Sequence, residues 1–412
     1  MPLARRAALF CLLASALCPA ADEAVLLVRP YVQPGPRSTV GTTDDVRLIW
    51  LTAPTDAMFT VEYGPVGGET RPAKVERTEF SFPSAPNQLG LRLERPQRFT
   101  RYVAALDGLP TNQEYAYALK SGGKVLAKQT AKARATADRP TRFVMVGDLA
   151  DGKSSQKAIA SRIHREKPDF LVALGDIVYP SGRSYHYFRH FWPTYVNAAS
   201  ADEDTGAPLM TTTPFYAVLG NHDTVVGRLT PNLPDAWSAY YFFTAPQDGP
   251  GEGPWNTEVP KTPQGAEFRR QAGASYPALG YYSFDYGPAH ITVIDNSGNG
   301  KTDDPKVVAW LRQDLGSTKQ PWKFVCMHMP PFQINAEHYA SQRQRRLAPL
   351  FEAQGVDLVF SGHVHNYQRS KPLRFAPSAA IPTSKADLAV TGTDASGAPR
   401  TPPSYVDGVF TR

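Results

Sequence analysis

Hydrophobic and polar positions follow two different rhythms along this chain. Between about residues 24 and 135 the apolar residues come in short runs: VRLIWLTA, FTVEYGPV, RYVAAL and EYAYALK. These runs are rich in β-branched and aromatic side chains and are separated by turn residues, so they predict an all-β unit. ARATADRP, at 133–140, reads as a linker. From 141 onward, apolar runs alternate with segments of helical spacing, the pattern of α/β layering. The runs are RFVMV, DFLVAL, PFYAVL, HITVI, KFVCM and VDLVF. SSQKAIASRIHREK and DPKVVAWLRQDL are the helical segments, the second opened by an aspartate–proline pair. Stretches rich in Asp, Gly and Pro predict loops at 200–212 and 245–275. The Pro-, Ala-, Ser- and Thr-rich tail from 371 predicts a long loop.

Within the β-rich part, GLPTNQEYAYAL places Tyr115 and Tyr117 after a Leu-Pro pair. That segment resembles the tyrosine-corner region of a fibronectin type III or immunoglobulin-like sandwich. Composition supports two soluble domains: 412 residues, 42% hydrophobic and 20% charged. The 38 prolines favour turns and β-structure over long helices. A formal charge of +6 suits an anionic substrate, but no basic stripe for specific nucleic-acid binding is present.

The first 21 residues read as a secretory signal peptide. Arg5 and Arg6 precede a short apolar segment, Ala7 to Cys18, and small residues surround Ala20 and Ala21. The expected location is therefore secreted or periplasmic. Cleavage there removes Cys11 and Cys18 and leaves Cys326, so no internal disulfide is expected. It also removes two arginines and no acid, taking the formal charge from +6 to +4. No second long apolar stretch predicts a transmembrane segment in the mature chain.

The chemistry sits where apolar runs end. RFVMV ends in Gly147-Asp148, and DFLVAL in Gly175-Asp176-Ile177-Val178-Tyr179. PFYAVL ends in Gly220-Asn221-His222-Asp223, KFVCM in His328-Met329-Pro330, and VDLVFS in Gly362-His363-Val364-His365. Ligands of open α/β sheets bind outside the carboxyl ends of the strands, so these five ends converge on one region. Side chains two apart on an extended segment point the same way, so His363 and His365 face one spot. The mixture of nitrogen and oxygen donors suits transition metals better than calcium. Cys326, in an apolar strand, reads as a buried structural thiol.

These motifs, GDLAD, GDIVY, GNHD, HMP and GHVH in that order, resemble the metallophosphoesterases and, within them, the purple acid phosphatases. The resemblance covers about 141–370, and the preceding β-unit is similar to that family's N-terminal domain. Tyr179, three residues after Asp176, is its most specific mark. It implies an α/β sandwich catalytic domain with a dinuclear centre. Asp148, Asp176, Tyr179 and His365 would hold Fe(III). Asp176, Asn221, His328 and His363 would hold a divalent ion (Zn, Mn or Fe), with Asp176 bridging. The implied activity is acid hydrolysis of small phosphate monoesters by metal-activated hydroxide. His222 would stabilise the phosphate or protonate the leaving group, and His338 would also face substrate. Phosphodiester or nucleotide hydrolysis at the same site is the alternative activity, and phosphate binding without catalysis is the alternative class. His186 and His190, in YHYFRHFW, read as aromatic packing or rim residues.

The pattern departs from the family twice. The family usually has glycine two residues after the first aspartate, and other metallophosphoesterases have histidine; here that position is Ala150, with Gly152 two later. Relatives also continue past GHVH into further strands, whereas this sequence stops at DGVFTR: either the chain is truncated or its natural tail is short, and a missing strand would expose a sheet edge.

Overall fold

The computed structural model describes residues 26–86, 93–298, 300–335, 343–375 and 408–409. The signal-peptide segment, His338 and most of the tail lie outside the described residues.

Two antiparallel four-stranded sheets make up the N-terminal part. The strands are β1 (Leu26–Pro34), β2 (Thr43–Thr52), β3 (Phe59–Pro65), β4 (Arg71–Pro72), β5 (Lys74–Phe82), β6 (Gln97–Pro110), β7 (Glu114–Ser121) and β8 (Lys124–Lys132). One sheet has the order β1-β2-β6-β5 and the other β8-β7-β3-β4. The run LIWL in β2 is continuously apolar because both faces of its sheet are buried. Leu48 and Trp50 face the space between the two sheets, with Tyr102, Tyr115 and Tyr117. Ile49 and Leu51 face the other way and join the core of the C-terminal part.

The C-terminal part has two further sheets. β9 (Phe143–Val146), β10 (Phe170–Leu174) and β11 (Phe215–Val218) form a parallel sheet in that order. Helix α1 (Ser154–Glu166) connects the first two. The second sheet runs β12 (Tyr281–Tyr286), β13 (Ala289–Ile294), β14 (Trp322–Met327) and β15 (Leu358–Phe360), with only β12 antiparallel to its neighbour. The two sheets face each other, and the Tyr216 and Phe284 rings stack between them at 3.6 Å. The second sheet again alternates with period two. Ile291, Val293 and Cys326 point into the central core. Ile294, Val325 and Met327 meet Val307, Leu311 and Leu315 of helix α3 (Pro305–Ser317). Among the described residues β15 lies at the edge of its sheet, and Leu358 there is 50% exposed.

One segment differs from its sequence reading. The stretch 245–275, expected as loop, contains helix α2 (Pro263–Ala272). Thr262 caps it by accepting from the Gly265 amide, and Pro263 opens its first turn. Its proline- and glycine-rich flanks hid a short amphipathic face, whose Phe268 packs against Tyr240, Tyr241 and Tyr276.

Polar contacts tie the two parts together. Arg134, whose guanidinium pairs with buried Asp44 at 2.8 Å, reaches across to donate to Asp285 O at 3.5 Å. The Tyr31 hydroxyl donates to Phe242 O at 2.9 Å. The Tyr117 hydroxyl donates to Thr211 O of the C-terminal part at 2.7 Å. Tyr117→Phe leaves that buried carbonyl without this donor. It is expected to lower unfolding stability by about 1 kcal/mol, read as a shifted urea midpoint. Among the described residues no helix is long and apolar enough to cross a membrane.

Candidate metal centre

Parallel strands deliver their carboxyl ends to one edge of a sheet. Here the five donor-bearing ends are shared between two sheets: Asp148, Asp176 and Asn221 follow β9, β10 and β11, while His328 and the GHVH segment follow β14 and β15. The ends are stitched by backbone bonds, with Asp148 N donating to Gly175 O at 3.0 Å and Gly362 N to His328 O at 2.9 Å. Close approach explains two of the glycines. A Cβ at Gly175, whose φ is +85°, would lie 2.4 Å from His328 Nδ1. One at Gly220 would lie 2.1 Å from the Asp176 amide nitrogen.

Four of the donor residues sit in the left-handed region: Asp148 (φ 57°), Asp176 (φ 48°), His363 (φ 69°) and His365 (φ 53°). Such conformations are uncommon outside glycine, and where the surroundings hold them they mark functional sites. The hold is visible. Asp148 Oδ2 accepts the His363 amide at 2.9 Å, and Asp176 Oδ1 accepts the His222 amide at 2.8 Å. This corrects the extended reading of GHVH. His363 and His365 reach one site from a turn beyond the strand, where Val364 N donates to Gly362 O, and not as alternate residues of a strand.

The donors form two sets that meet at one carboxylate. Tyr179 Oη lies 2.8 Å from Asp148 Oδ1, 3.0 Å from His365 Nε2 and 3.1 Å from Asp176 Oδ2. His328 Nε2 lies 3.1 Å from Asn221 Oδ1 and 3.3 Å from Asp176 Oδ1. The His328 and His363 rings are 5.0 Å apart, and ligand atoms of Asp176, His328 and His363 lie within 4.8 Å of one another. Asp176 thus turns one oxygen to each set. His328 Nδ1–H donates to Leu174 O at 2.8 Å, which leaves Nε2 aimed at the cluster.

The electrostatics are those of a site that gathers negative charge. Burial raises the Asp148 carboxyl, and Asp176 adds to that. Burial and then the two carboxylates push the Tyr179 phenol strongly up. Burial also opposes ionisation of Asp176, but His328 and His222 hold it down, to about 2. Burial lowers His328, yet Asp176 and Asp148 outweigh this and lift it to about 9. A proton or a metal cation at His328 Nε2 would answer the same negative charge.

His222 stands beside this cluster, about a quarter exposed, with Nε2 3.9 Å from Asp176 Oδ2. Its Nδ1–H donates to Pro180 O at 2.7 Å. Ala150 is fully buried and its carbonyl accepts the Tyr179 amide, so the departure there still anchors the loop of Asp148. Gly152, at φ +83°, packs against the His190 ring, and His186 is buried, so both histidines pack. Sequence reasoning passed over Asp223 and Asn296. Fully buried Asp223 accepts from the amides of Gly220 (2.9 Å) and Ile177 (3.1 Å) and so fixes the turns bearing Asn221 and Asp176. Asn296 holds both backbone groups of Met329, next to His328. Asp223 was visible in GNHD; nothing in the sequence marks Asn296.

A family model, calcineurin-like phosphoesterase, matches residues 141–367, more than half of the chain. The chain belongs to the calcineurin-like phosphoesterase family. Among its curated relatives is purple acid phosphatase 18 of Arabidopsis thaliana, 24% identical over 239 residues, 56% of this chain and 45% of the relative. An uncharacterized protein of Mycobacterium tuberculosis is 26% identical over 307 residues, 66% of this chain and 51% of that protein. The chain thus spans about half the length of these relatives. Among solved structures, purple acid phosphatase PPD1 from yellow lupin seeds has the same fold. Its TM-score is 0.58 at 18% identity, covering 82% of this chain and 58% of the lupin chain. Family membership supports a metal centre at this cluster of donors.

Proposed function

We propose that this phosphoesterase is an exported acid phosphatase acting on phosphate monoesters with two metal ions. The carrying observation is the Asp176 carboxylate, one oxygen beside Tyr179 and the other beside His328. The donor set fits that reading. Asp148, Asp176, Tyr179 and His365 would hold Fe(III), because a phenolate and carboxylates suit a hard trivalent ion. Asp176, Asn221, His328 and His363 would hold a divalent ion (Zn, Mn or Fe). When bound, the pair would supply Lewis acidity toward the phosphoryl group and the attacking water. The protein's own part is to orient and to move protons. His222, with Nδ1–H committed to Pro180 O, presents Nε2 to the leaving oxygen and, with its ring protonated on both nitrogens, gives up the Nε2 proton there. Asp223 and Asn296 keep the ligand-bearing turns in place. In the same proposal, residues 24–135 form a fibronectin type III-like domain, 141–370 the catalytic domain and 1–21 a signal peptide. The sheet order β1-β2-β6-β5 facing β8-β7-β3-β4 supports the first of these.

The test is hydrolysis of a chromogenic phosphomonoester across pH, beside the corresponding diester. Metal-loaded protein is expected to prefer the monoester and acidic pH; preference for the diester would overturn the substrate assignment. His222→Ala should lower kcat by about 10²-fold or more with metal content unchanged. Loss of the metals instead would make His222 a ligand. Tyr179→Phe should abolish any visible phenolate-to-iron absorption, and a variant that keeps its colour would remove Tyr179 from the iron site.

A further inference from the structure

The segment after Tyr179 is held with more polar contact than a loop needs. Gly182 N donates to His222 O at 2.7 Å, and Gly182 O accepts from Ser238 N at 2.9 Å. A Cβ at Gly182 would meet Asp223 O at 2.5 Å and Ala236 O at 3.0 Å. The segment is thus wedged between the turn Asn221–Thr224 and residues 235–238. Its next two residues share one acid. Arg183 Nε donates to Asp235 Oδ1 at 3.1 Å, and Ser184 donates to Asp235 Oδ2 through N (3.1 Å) and Oγ (2.6 Å). Asp235 and Ser184 are fully buried and Arg183 is 4% exposed.

A buried ion pair is a poor device for stability, because desolvation offsets most of its attraction; its better-attested use is to specify one arrangement. The arginine of this pair lies three residues beyond Pro180 in the same segment, and Pro180 O accepts from His222 Nδ1 at 2.7 Å. That carbonyl only accepts, so it fixes the proton of His222 on Nδ1 and turns Nε2 toward the cluster. The Tyr179 ring, 4.5 Å from the His222 ring, closes the other side. We infer that Asp235, through Arg183 and Ser184, is a positioning residue that sets the ring orientation and tautomer of His222. The inference rests on the proposed role of His222 in leaving-group protonation.

The experiment compares p-nitrophenyl phosphate, whose leaving group needs little protonation, with glycerol 2-phosphate, whose leaving group needs much. Asp235→Asn, and the milder Ser184→Ala in case the first does not fold, are measured beside His222→Ala with metal content monitored. Both are expected to lower kcat for glycerol 2-phosphate by about 10- to 100-fold, with a smaller loss on the nitrophenyl ester and KM little changed. Neither should reduce turnover further in a His222→Ala background. Equal losses on both esters, or losses additive with His222→Ala, would overturn the inference. A second readout needs no turnover. In zinc-loaded protein with ¹⁵N-labelled histidine, the neutral His222 ring should be the Nδ1–H tautomer, which leaves Nε2 to take up the proton it passes on, and Asp235→Asn should shift the neutral ring toward Nε2–H. If the parent hydrolyses neither ester but the tautomer still shifts, the functional reading fails and the positioning stands. If the parent is active and the tautomer does not move in either variant, the positioning fails alone.

Discussion

Asp176→Asn is expected to strip the site of metal and lose nearly all turnover. Asp176 Oδ2 is 3.1 Å from Tyr179 Oη, and Oδ1 is 3.3 Å from His328 Nε2 while accepting the His222 amide at 2.8 Å. An asparagine keeps one oxygen. Whichever way the amide settles, an N–H₂ group faces one donor set, and neither set retains the shared negative charge. Changing groups that only orient a ligand costs about 10- to 100-fold in metal affinity, so losing the shared ligand should cost at least that at both positions. Turnover should then fall by about 10³-fold or more, since chemistry and metal retention fail together. Elemental analysis after dialysis, alongside phosphomonoester hydrolysis, reads both. A variant that keeps two metals and its rate would show that Asp176 does not bridge. One that loses a single metal would assign Asp176 to that position alone.

The same residues show how far a sequence can be read. Each of the five donor segments opens at the end of an apolar strand and, in four of the five, with a glycine, so RFVMV-GD and its counterparts announced both the strand and the exit. Which strands pair is another matter. A period of two records that a face is buried but not against what, so the donor-bearing strands gave no sign of being split between two sheets. The left-handed turns at His363 and His365 were hidden for a similar reason. Histidine carries no conformational signal comparable to glycine's, and the turn is imposed by contacts such as that of the His363 amide with Asp148, 215 residues away. The anchoring pair of Arg183 and Asp235 is separated by 52 residues, each unremarkable among the 82 charged residues of the chain. Local rules reach ligands that sit at the ends of local elements. They do not reach the residues that hold those ligands from elsewhere.

Stability is expected to fall as pH rises through about 9, because of a buried histidine at the opposite end of β13 from the site. His290 Nδ1 lies 2.7 Å from Asp285 Oδ1 on β12, and its Nε2 lies 3.1 Å from Asp314 Oδ2 on α3. Thr292 Oγ1 donates to the same Asp314 oxygen, and the Ser283 hydroxyl sits between Asp314 (2.7 Å) and Asp248 (2.6 Å). Lys306 and Lys319 line the cavity beside this cluster. Burial disfavours the imidazolium, but Asp285 and Asp314 outweigh it and raise His290 from 6.5 to about 9. A folded-state value above the unfolded one means that the proton stabilises the fold. The contribution is complete below about pH 6.5 and is lost as pH climbs through 9. At about 1.4 kcal/mol per pH unit, it amounts to roughly 3 kcal/mol. Asp248 contributes a loss of the same sign but in a window that opens at the ordinary carboxylate range, since burial, the larger cause, and Asp314 both raise its carboxyl. His290→Gln removes the titrating cation held between Asp285 and Asp314, so it should cost about 3–5 kcal/mol at pH 6 and flatten the decline above pH 7. Urea midpoints from pH 6 to pH 10 for both proteins decide this. Parallel declines would mean that His290 is not the group whose proton holds β12, β13 and α3 together.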